Sequence, residues 1–252
     1  MKKVKDTNKE YHDHECISAS GLKIIYKQSV YHYLNQKPFT SKSMNFGNAV
    51  HSAVLENDFN DIVVFKKLDL RNNDNKIIHK EFVKKNKDKI ILNEEEYEGL
   101  EKIIENVSKN KRIKKLINEL DEIEHSYYGE IDDIEVRIRP DGVRFNSHIL
   151  DLKTAVDVSP YAFRRQIYNL SYHLQACFYS EALGYNPENF RFLVIGNKEP
   201  YDVEIYSMGA DMIESGKIAW RCAFDKWKNY LKTGISKGFI WENFNDDGSL
   251  IL

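Results

Sequence analysis

IRPDGVRFNSHILDLKT, residues 138–154, contains a strand end, a turn and a second strand. The first strand begins upstream: Ile134, Val136 and Ile138 alternate with Glu135, Arg137 and Arg139, the period of two expected for a strand with one buried face. Asn146-Ser147 marks the turn, and His148 to Thr154 form the next strand. Asp141 closes the first strand. Asp151 and Lys153 lie two apart on the second, so both side chains leave the same face. Ile149, Leu150 and Leu152 make that strand apolar, so an acid and a lysine inside it need a reason.

Phosphodiester hydrolysis supplies one. Two carboxylates hold Mg²⁺, which polarises a phosphoryl oxygen and lowers the pKa of a bound water. A neighbouring lysine orients or deprotonates that water and offsets developing negative charge. Arg137, Arg139 and Arg144 add positive charge beside the pair. The bland alternative is a Pro-Asp-Gly turn followed by an ordinary strand end. Register separates the two. With a plain two-residue turn at Asn146-Ser147, Asp141 opposes Leu152 and Asp151 points to the other side. Joint coordination therefore requires a three-residue loop, a bulge or a bend, and Gly142 is the expected place for that irregularity.

Upstream, Ser18 and Ser20 read as N-caps of a helix that runs to about Leu34 and stops before Pro38. A second helix starts near Ser43 or Asn45 and carries Phe46, Val50, Val54 and Leu55, with Gly47 and His51 on one face. Residues 66–96 are rich in Lys, Asn, Asp and Glu and read as a charged surface excursion. The basic run Lys109 to Lys115 fits either a phosphate track or a solvated helix face. A further strand is expected from Ile123 to Tyr128, flanked by Glu124 and Glu130 as additional ligand candidates. Downstream come helices at 160–168 and 171–183, the latter ended by Gly184, strands at 190–195 and 201–206, and a long amphipathic helix from about 210 to 231. The terminal Leu-Ile-Leu is expected to dock on the body or on a neighbouring subunit. The order of elements gives an α/β fold with a mixed sheet.

With 252 residues and 42% hydrophobic content, the chain suffices for one sizeable core, read as a single domain over 17–252 behind a flexible N-terminal tail at 1–16, with His12 and His14 solvated. No apolar run approaches the ~18 residues of a membrane span, and no apolar signal core follows the lysine-rich N-terminus, so a cytoplasmic protein is expected. Cys16, Cys177 and Cys222 are odd in number and dispersed, which argues against a disulfide framework or a zinc knuckle. A net charge of −2 neither favours nor excludes nucleic acid, because phosphate affinity can come from a local patch.

RPDGV followed by ILDLKT resembles the metal-binding core of the PD-(D/E)xK nuclease superfamily, and specifically its exonuclease VIII (RecE-type) branch of phage recombination nucleases. MNFGNAVHSAVLE resembles that branch's Phe-Gly-x-x-x-His helix, ISASGLK the segment that opens its nuclease domain, and YHLQACFYSEAL its Gln-x-x-x-Tyr helix. PYDVEIY, near Pro200, also fits. The matches fall in order across residues 17 to 206, whereas the excursion at 66–96 matches nothing in the branch.

The resemblance implies a restriction-endonuclease-like core: a central mixed β-sheet flanked by α-helices. It implies that His51, Asp141, Asp151 and the Leu152 carbonyl bind one or two Mg²⁺ ions, with Mn²⁺ as an alternative, that Lys153 assists the attacking water, and that Gln175 and Tyr179 position the strand. Arg137, Arg139, Arg144, Arg164 and Arg165 are the expected DNA contacts. The implied activity is 5′→3′ digestion of linear double-stranded DNA in a bacterial host, leaving a 3′ single strand for a RecT-like annealing protein. A ring-shaped homo-oligomer is implied as well, and it would let a chain of this charge hold DNA in a channel. The competing readings are a restriction- or repair-type endonuclease on the same core, and a non-catalytic DNA-end-binding module.

Overall fold

The structure, a computed structural model, describes residues 1–37, 42–66, 68–69, 71–236 and 238. In chain order the elements are β1 (Lys2–Val4), α1 (Asn8–Asp13), α2 (Ala19–Lys27), α3 (Val30–Leu34), α4 (Lys42–His51), β2 (Ile62–Phe65), α5 (Asn73–Lys85), β3 (Ile90–Asn93), α6 (Glu94–Lys109), α7 (Lys111–Asn118), β4 (Glu122–Ile123), β5 (Ser126–Ile131), β6 (Ile134–Ile138), β7 (Gly142–Arg144), β8 (His148–Ala155), α8 (Pro160–Asn169), α9 (Tyr172–Leu183), β9 (Phe190–Gly196), β10 (Val203–Tyr206) and α10 (Ala210–Thr233). The central sheet runs β10-β9-β8-β7-β4, with β8 and β9 parallel and the other neighbours antiparallel. The fold is thus α/β with a mixed central sheet flanked by helices, as expected.

Alternation along β8 and β9 divides the core in two. Ile149, Phe190, Phe192 and Val194 pack with Leu22, Ile25, Phe178, Trp220 and Phe224, from α2, α9 and α10. Leu150, Leu152, Leu193 and Ile195 pack with Val50, Leu100 and Ile103, from α4 and α6. Both faces are buried, which is why these two strands read as near-continuous apolar runs.

The turn between β7 and β8 settles the register. Gly142 pairs with Leu150, Val143 with Ile149 and Arg144 with His148, leaving a three-residue loop of Phe145, Asn146 and Ser147. Asn146 takes a left-handed φ of 56°, which asparagine tolerates, as the second central residue of a turn closed by the Ser147 N–H donating to the Arg144 carbonyl at 3.2 Å. The extra residue therefore sits in the loop. Gly142, expected to carry the irregularity, is regularly paired, and its hydrogen is needed for room: a Cβ there would lie 2.6 Å from Leu120 Cδ1.

Other expectations are corrected. The first helix ends at Lys27, and a second cap at Ser29, whose hydroxyl accepts from the His32 N–H, starts a new one. Residues 1–16 are not a loose tail. Strand β1 adds to the antiparallel sheet β1-β5-β6, and α1 buries Tyr11 under a Thr7–Glu10 capping box. Polar composition concealed this, because the segment is held by hydrogen bonds more than by apolar area. The charged excursion at 66–96 carries α5 and β3, and β3 pairs in parallel with β2, which precedes it; α5 buries no side chain, whereas Leu92 of β3 is fully inside. The Leu-Ile-Leu terminus and the stop at Pro38 lie outside the described residues. Among the described residues no helix is long and apolar enough to cross a membrane.

Candidate active site

Three acids form a row across three strands. The β4–β7 register pairs Ile123 with Gly142, so Glu124 follows opposite Asp141, and the Glu124 N–H donates to the Asp141 carbonyl at 3.2 Å. The β7–β8 register continues from Gly142–Leu150 to set Asp141 opposite Asp151. Glu124 interrupts the expected strand at Ile123 to Tyr128: its φ of 53° ends β4, and β5 starts two residues later in a different sheet. The fourth group arrives from α4. His51 is its last residue, where the helix widens into a π-turn over Ser52–Glu56, an irregularity common at functional sites.

His51 Nδ1 lies 3.5 Å from Asp141 Oδ2 and 3.6 Å from Glu124 Oε1, and Nε2 lies 3.1 Å from the Leu152 carbonyl oxygen. Asp141 Oδ2 also accepts from the Leu152 N–H at 2.6 Å. One ligand atom each from His51, Glu124 and Asp141 falls within 4.8 Å of the others, a spacing suited to one cation. These groups open onto a cleft of about 540 Å³ lined by Tyr11, His51, Glu56, Glu124, Arg139 and Asp141, among others.

Asp151 stands beside this trio, fully buried. Its Oδ1 accepts from the Gln175 side-chain amide at 2.7 Å, and its Oδ2 contacts Lys153 Nζ at 2.5 Å. That second oxygen receives no aligned hydrogen bond from any described residue, so a lone pair is left over. Lys153 Nζ also lies 4.9 Å from the centre of the Tyr172 ring. Lys23 Nζ approaches the same ring at 5.0 Å and donates to Gln175 Oε1. Tyr179, one turn after Gln175, donates to the Arg139 carbonyl at 3.4 Å and packs in the core.

The charges are in conflict. Burial raises the Asp141 carboxyl to about 7, with Asp151 and Glu124 adding repulsion against the pull of His51. Burial opposes charge on His51, but Asp141 and Glu124 outweigh it and carry the imidazole up to about 9. Burial likewise opposes charge on Lys153, and Asp151 and Asp141 hold it above the ordinary lysine range. Lys23 goes the other way: burial and then the neighbouring Lys153 lower it to about 7. Crowded acids, an imidazole that becomes a ligand once a cation displaces its proton, and an oxygen with a spare lone pair form a donor set that fits a divalent cation. Oxygen donors with one imidazole suit Mg²⁺ or Mn²⁺ better than a soft metal.

The sequence-derived set therefore converges: His51, Asp141, Asp151, Leu152, Lys153 and Gln175 form one connected cluster, with Tyr179 bracing the backbone behind it. Glu124, weighed only as a flanking ligand, belongs at the centre, while Glu130 is exposed on β5 opposite Glu135. Lys23 is hard to see in the sequence, because a lysine in an amphipathic helix reads by default as solvated; its signal is its place in ISASGLK.

The arginines divide. Arg137, expected to face DNA, is 6% exposed beneath Tyr11, its guanidinium carbon 5.1 Å from the ring centre. Arg139 is paired with Asp6 at 3.2 Å and Glu124 at 2.9 Å, and Arg144 with Glu119 at 2.5 Å. Arg164 and Arg165 are exposed on α8. The basic run is partly neutralised, Lys109 by Glu105, Arg112 by Glu204 and Lys115 by Glu119.

Comparison with known proteins adds a family and a fold. The profile of a family described as a PDDEXK-like domain of unknown function (DUF3799) matches residues 18–235. A crystal structure of a protein from Eubacterium rectale, described provisionally as an exonuclease, superposes with a TM-score of 0.61 at 14% identity, over 93% of this chain and 90% of that one. A second solved structure, SSO0001, superposes with a TM-score of 0.32 at 12% identity, over 76% of this chain and 87% of that one, too low to bear on the fold. No curated protein matches the sequence significantly.

Proposed function

Because this chain belongs to the PDDEXK-like domain family DUF3799, we propose that it is a metal-dependent nuclease acting as an exonuclease on linear double-stranded DNA. The observation that carries this reading is the connected cluster of Asp151 and Lys153 beside His51, Glu124 and Asp141. Glu124, Asp141, Asp151, His51 and the Leu152 carbonyl would hold the cation. Once bound, it supplies Lewis-acid polarisation of a phosphoryl oxygen and makes water a better nucleophile at neutral pH.

The remaining work falls to the chain itself. Lys153, kept protonated by its two aspartates, offsets charge developing on the phosphate and donates to the attacking or leaving oxygen. Gln175 fixes Asp151, and Tyr179 fixes the backbone after β6 through Arg139. The cleft is acidic, so the phosphate backbone is repelled until cations fill it. That supports an activity gated by metal.

The 5′→3′ direction, the 3′ single-stranded product, the RecT-like annealing partner and the ring-shaped homo-oligomer rest on the resemblance to exonuclease VIII. Digestion of linear duplexes labelled at either end, with and without Mg²⁺ or Mn²⁺, tests activity, metal need and direction together. An intact supercoiled plasmid separates an exonuclease from an endonuclease, which nicks it. Asp151→Ala and Lys153→Ala are expected to lower cleavage by about 10²–10⁴-fold. Undiminished cleavage by both variants refutes the assignment. Light scattering on a sizing column tests the ring, which a monomer excludes.

A further inference from the structure

Gln175 faces a problem that its own chemistry does not solve. Its carbonyl and amide ends have nearly the same shape, and rotating the group by half a turn exchanges them. Asp151 offers only acceptors when ionised, so it needs the NH₂ end. The carbonyl end turned toward Asp151 would set two oxygens against each other in a buried site.

The other end of the amide is what decides. Lys23, on α2, donates to Gln175 Oε1, while Gln175 Nε2 donates to Asp151 Oδ1 at 2.7 Å. Lys23 Nζ donates in this contact, and an ionised carboxylate can only accept. Placed at opposite ends of one amide, they permit a single orientation. Lys23 is itself held in place, 5.0 Å from the centre of the Tyr172 ring that also faces Lys153. A chain of contacts thus runs Lys23–Gln175–Asp151–Lys153 across three elements: α2, α9 and β8.

We propose that Lys23 is a positioning residue of the active site, which locks the Gln175 amide so that it ties down Asp151 Oδ1 and leaves Oδ2 for Lys153 and a cation. This deepens the nuclease reading and rests on it for its effect on the reaction, but not for the orientation itself. Lys23 need not touch DNA. Loss of its amine frees the amide, lets Asp151 rotate and weakens the cation site.

The test compares Lys23→Met, which keeps length and removes the donor, with Lys23→Arg, which keeps a donor. In ¹⁵N-labelled full-length protein, the Gln175 side-chain amide is assigned by its absence in Gln175→Leu. It should be shifted by its bond to a carboxylate in the wild type and in Lys23→Arg, and return to the free-amide position in Lys23→Met. Mn²⁺ affinity and kcat on linear duplex should each fall about 10–100-fold in Lys23→Met, the range for partners that orient ligands, with KM for DNA little changed. Lys23→Met combined with Gln175→Leu should cost no more than Gln175→Leu alone, because both act on one atom. An unmoved amide resonance overturns the proposal, as do additive losses. So does a raised KM with a steeper loss on added salt, which would make Lys23 a phosphate contact. If the wild type cleaves no DNA under any metal, the nuclease reading fails, and the amide resonance still decides the role of Lys23.

Discussion

Asp141 and Leu152 are bound through both sides of one peptide environment: the Asp141 carboxylate accepts the Leu152 N–H at 2.6 Å, and His51, 3.5 Å from the same carboxylate, contacts the Leu152 carbonyl oxygen at 3.1 Å. The acid therefore serves the backbone of β8 as well as a cation. Replacement should separate the two roles. Asp141→Asn keeps an acceptor for the N–H and removes a charge disfavoured by burial, so it should melt at or above the wild-type temperature while metal affinity falls by at least ~10–100-fold. Asp141→Ala leaves a buried donor unpaired and should cost about 1–3 kcal/mol as well. Thermal unfolding beside calorimetric metal titration reads both. Equal melting temperatures for the two variants refute the structural role.

Glu124→Gln tests the acid that the sequence placed only at the margin. Glu124 helps to hold His51 protonated, so the imidazole midpoint should move down from about 9 toward its ordinary 6.5. Metal affinity should fall roughly 10–100-fold. The His51 ring proton, followed by NMR against pH, gives the first quantity. A midpoint that stays put removes Glu124 from the site.

The share of metal-free stability that His51 contributes should fall as pH rises from about 6.5 to about 9, while Lys23, lowered from 10.5 to about 7, acts in the opposite direction above pH 7. His51 has a folded-state pKa near 9 against an ordinary 6.5, so the folded chain binds more protons than the unfolded one in that window. Stabilisation from this proton is complete below the lower value and lost through the upper one. Asp141, raised from 3.8 to about 7, acts in the same direction over a lower and overlapping range. The decline is read as the difference in melting temperature between the wild type and His51→Gln across pH 6 to 10, a comparison in which Lys23 largely cancels, and saturating Mg²⁺ should flatten it. A difference that does not shrink between pH 7 and 9 contradicts the assignment.

Gly216→Ala probes the packing of α10 on α9. An added Cβ would lie 2.5 Å from the His173 carbonyl oxygen and 2.7 Å from Cys177 Sγ, and the carbonyl belongs to a helix that cannot shift alone. The helix preference of alanine should lose to this clash, for a net cost of about 1–3 kcal/mol. Denaturant unfolding measures it, and a stabilised variant would contradict the close approach.

Asp6→Ala tests whether the N-terminal segment braces the site. Asp6 accepts from Arg139 at 3.2 Å and from Ser126 and Tyr128, while Arg139 reaches Glu124 at 2.9 Å. The loss should be about 1–3 kcal/mol of stability. Arg139, left with Glu124 as its only carboxylate beside the backbone carbonyl at position 6 and the Ser126 hydroxyl, should also change the metal affinity, which titration on the folded variant detects.

The chemistry was legible where motif and period coincided. Asp151 and Lys153 interrupt an apolar strand, and His51 follows Phe46-Gly47 at helical spacing, so each is visible without coordinates. The three-residue loop was one of three open solutions, and no local signal ranked it first: asparagine tolerates the left-handed φ that Asn146 adopts, but that residue also suits the shorter turn. Glu124 was obscured because a positive φ on a glutamate has no sequence signature, and a strand broken in two at that point reads as one. The order of the N-terminal residues is hidden in the sequence for a different reason. Their anchor is a carboxylate paired with guanidinium and hydroxyl groups, and composition records only that these residues are polar.

The connection Phe145-Asn146-Ser147 joins two strands whose side chains alternate, so its length works as a parity bit. Exchanging one of its residues alters comfort at the surface, whereas removing one leaves two residues to join Arg144 to His148, and a one-residue slip of β8 that restored a span of three would set Asp141 against Leu152 in place of Asp151. In this chain the pairing that an outlying bend selects, more than the identity of its residues, decides whether two acids at the core can meet, and any change there that lets β8 slip by one residue should silence the protein as fully as the loss of either aspartate.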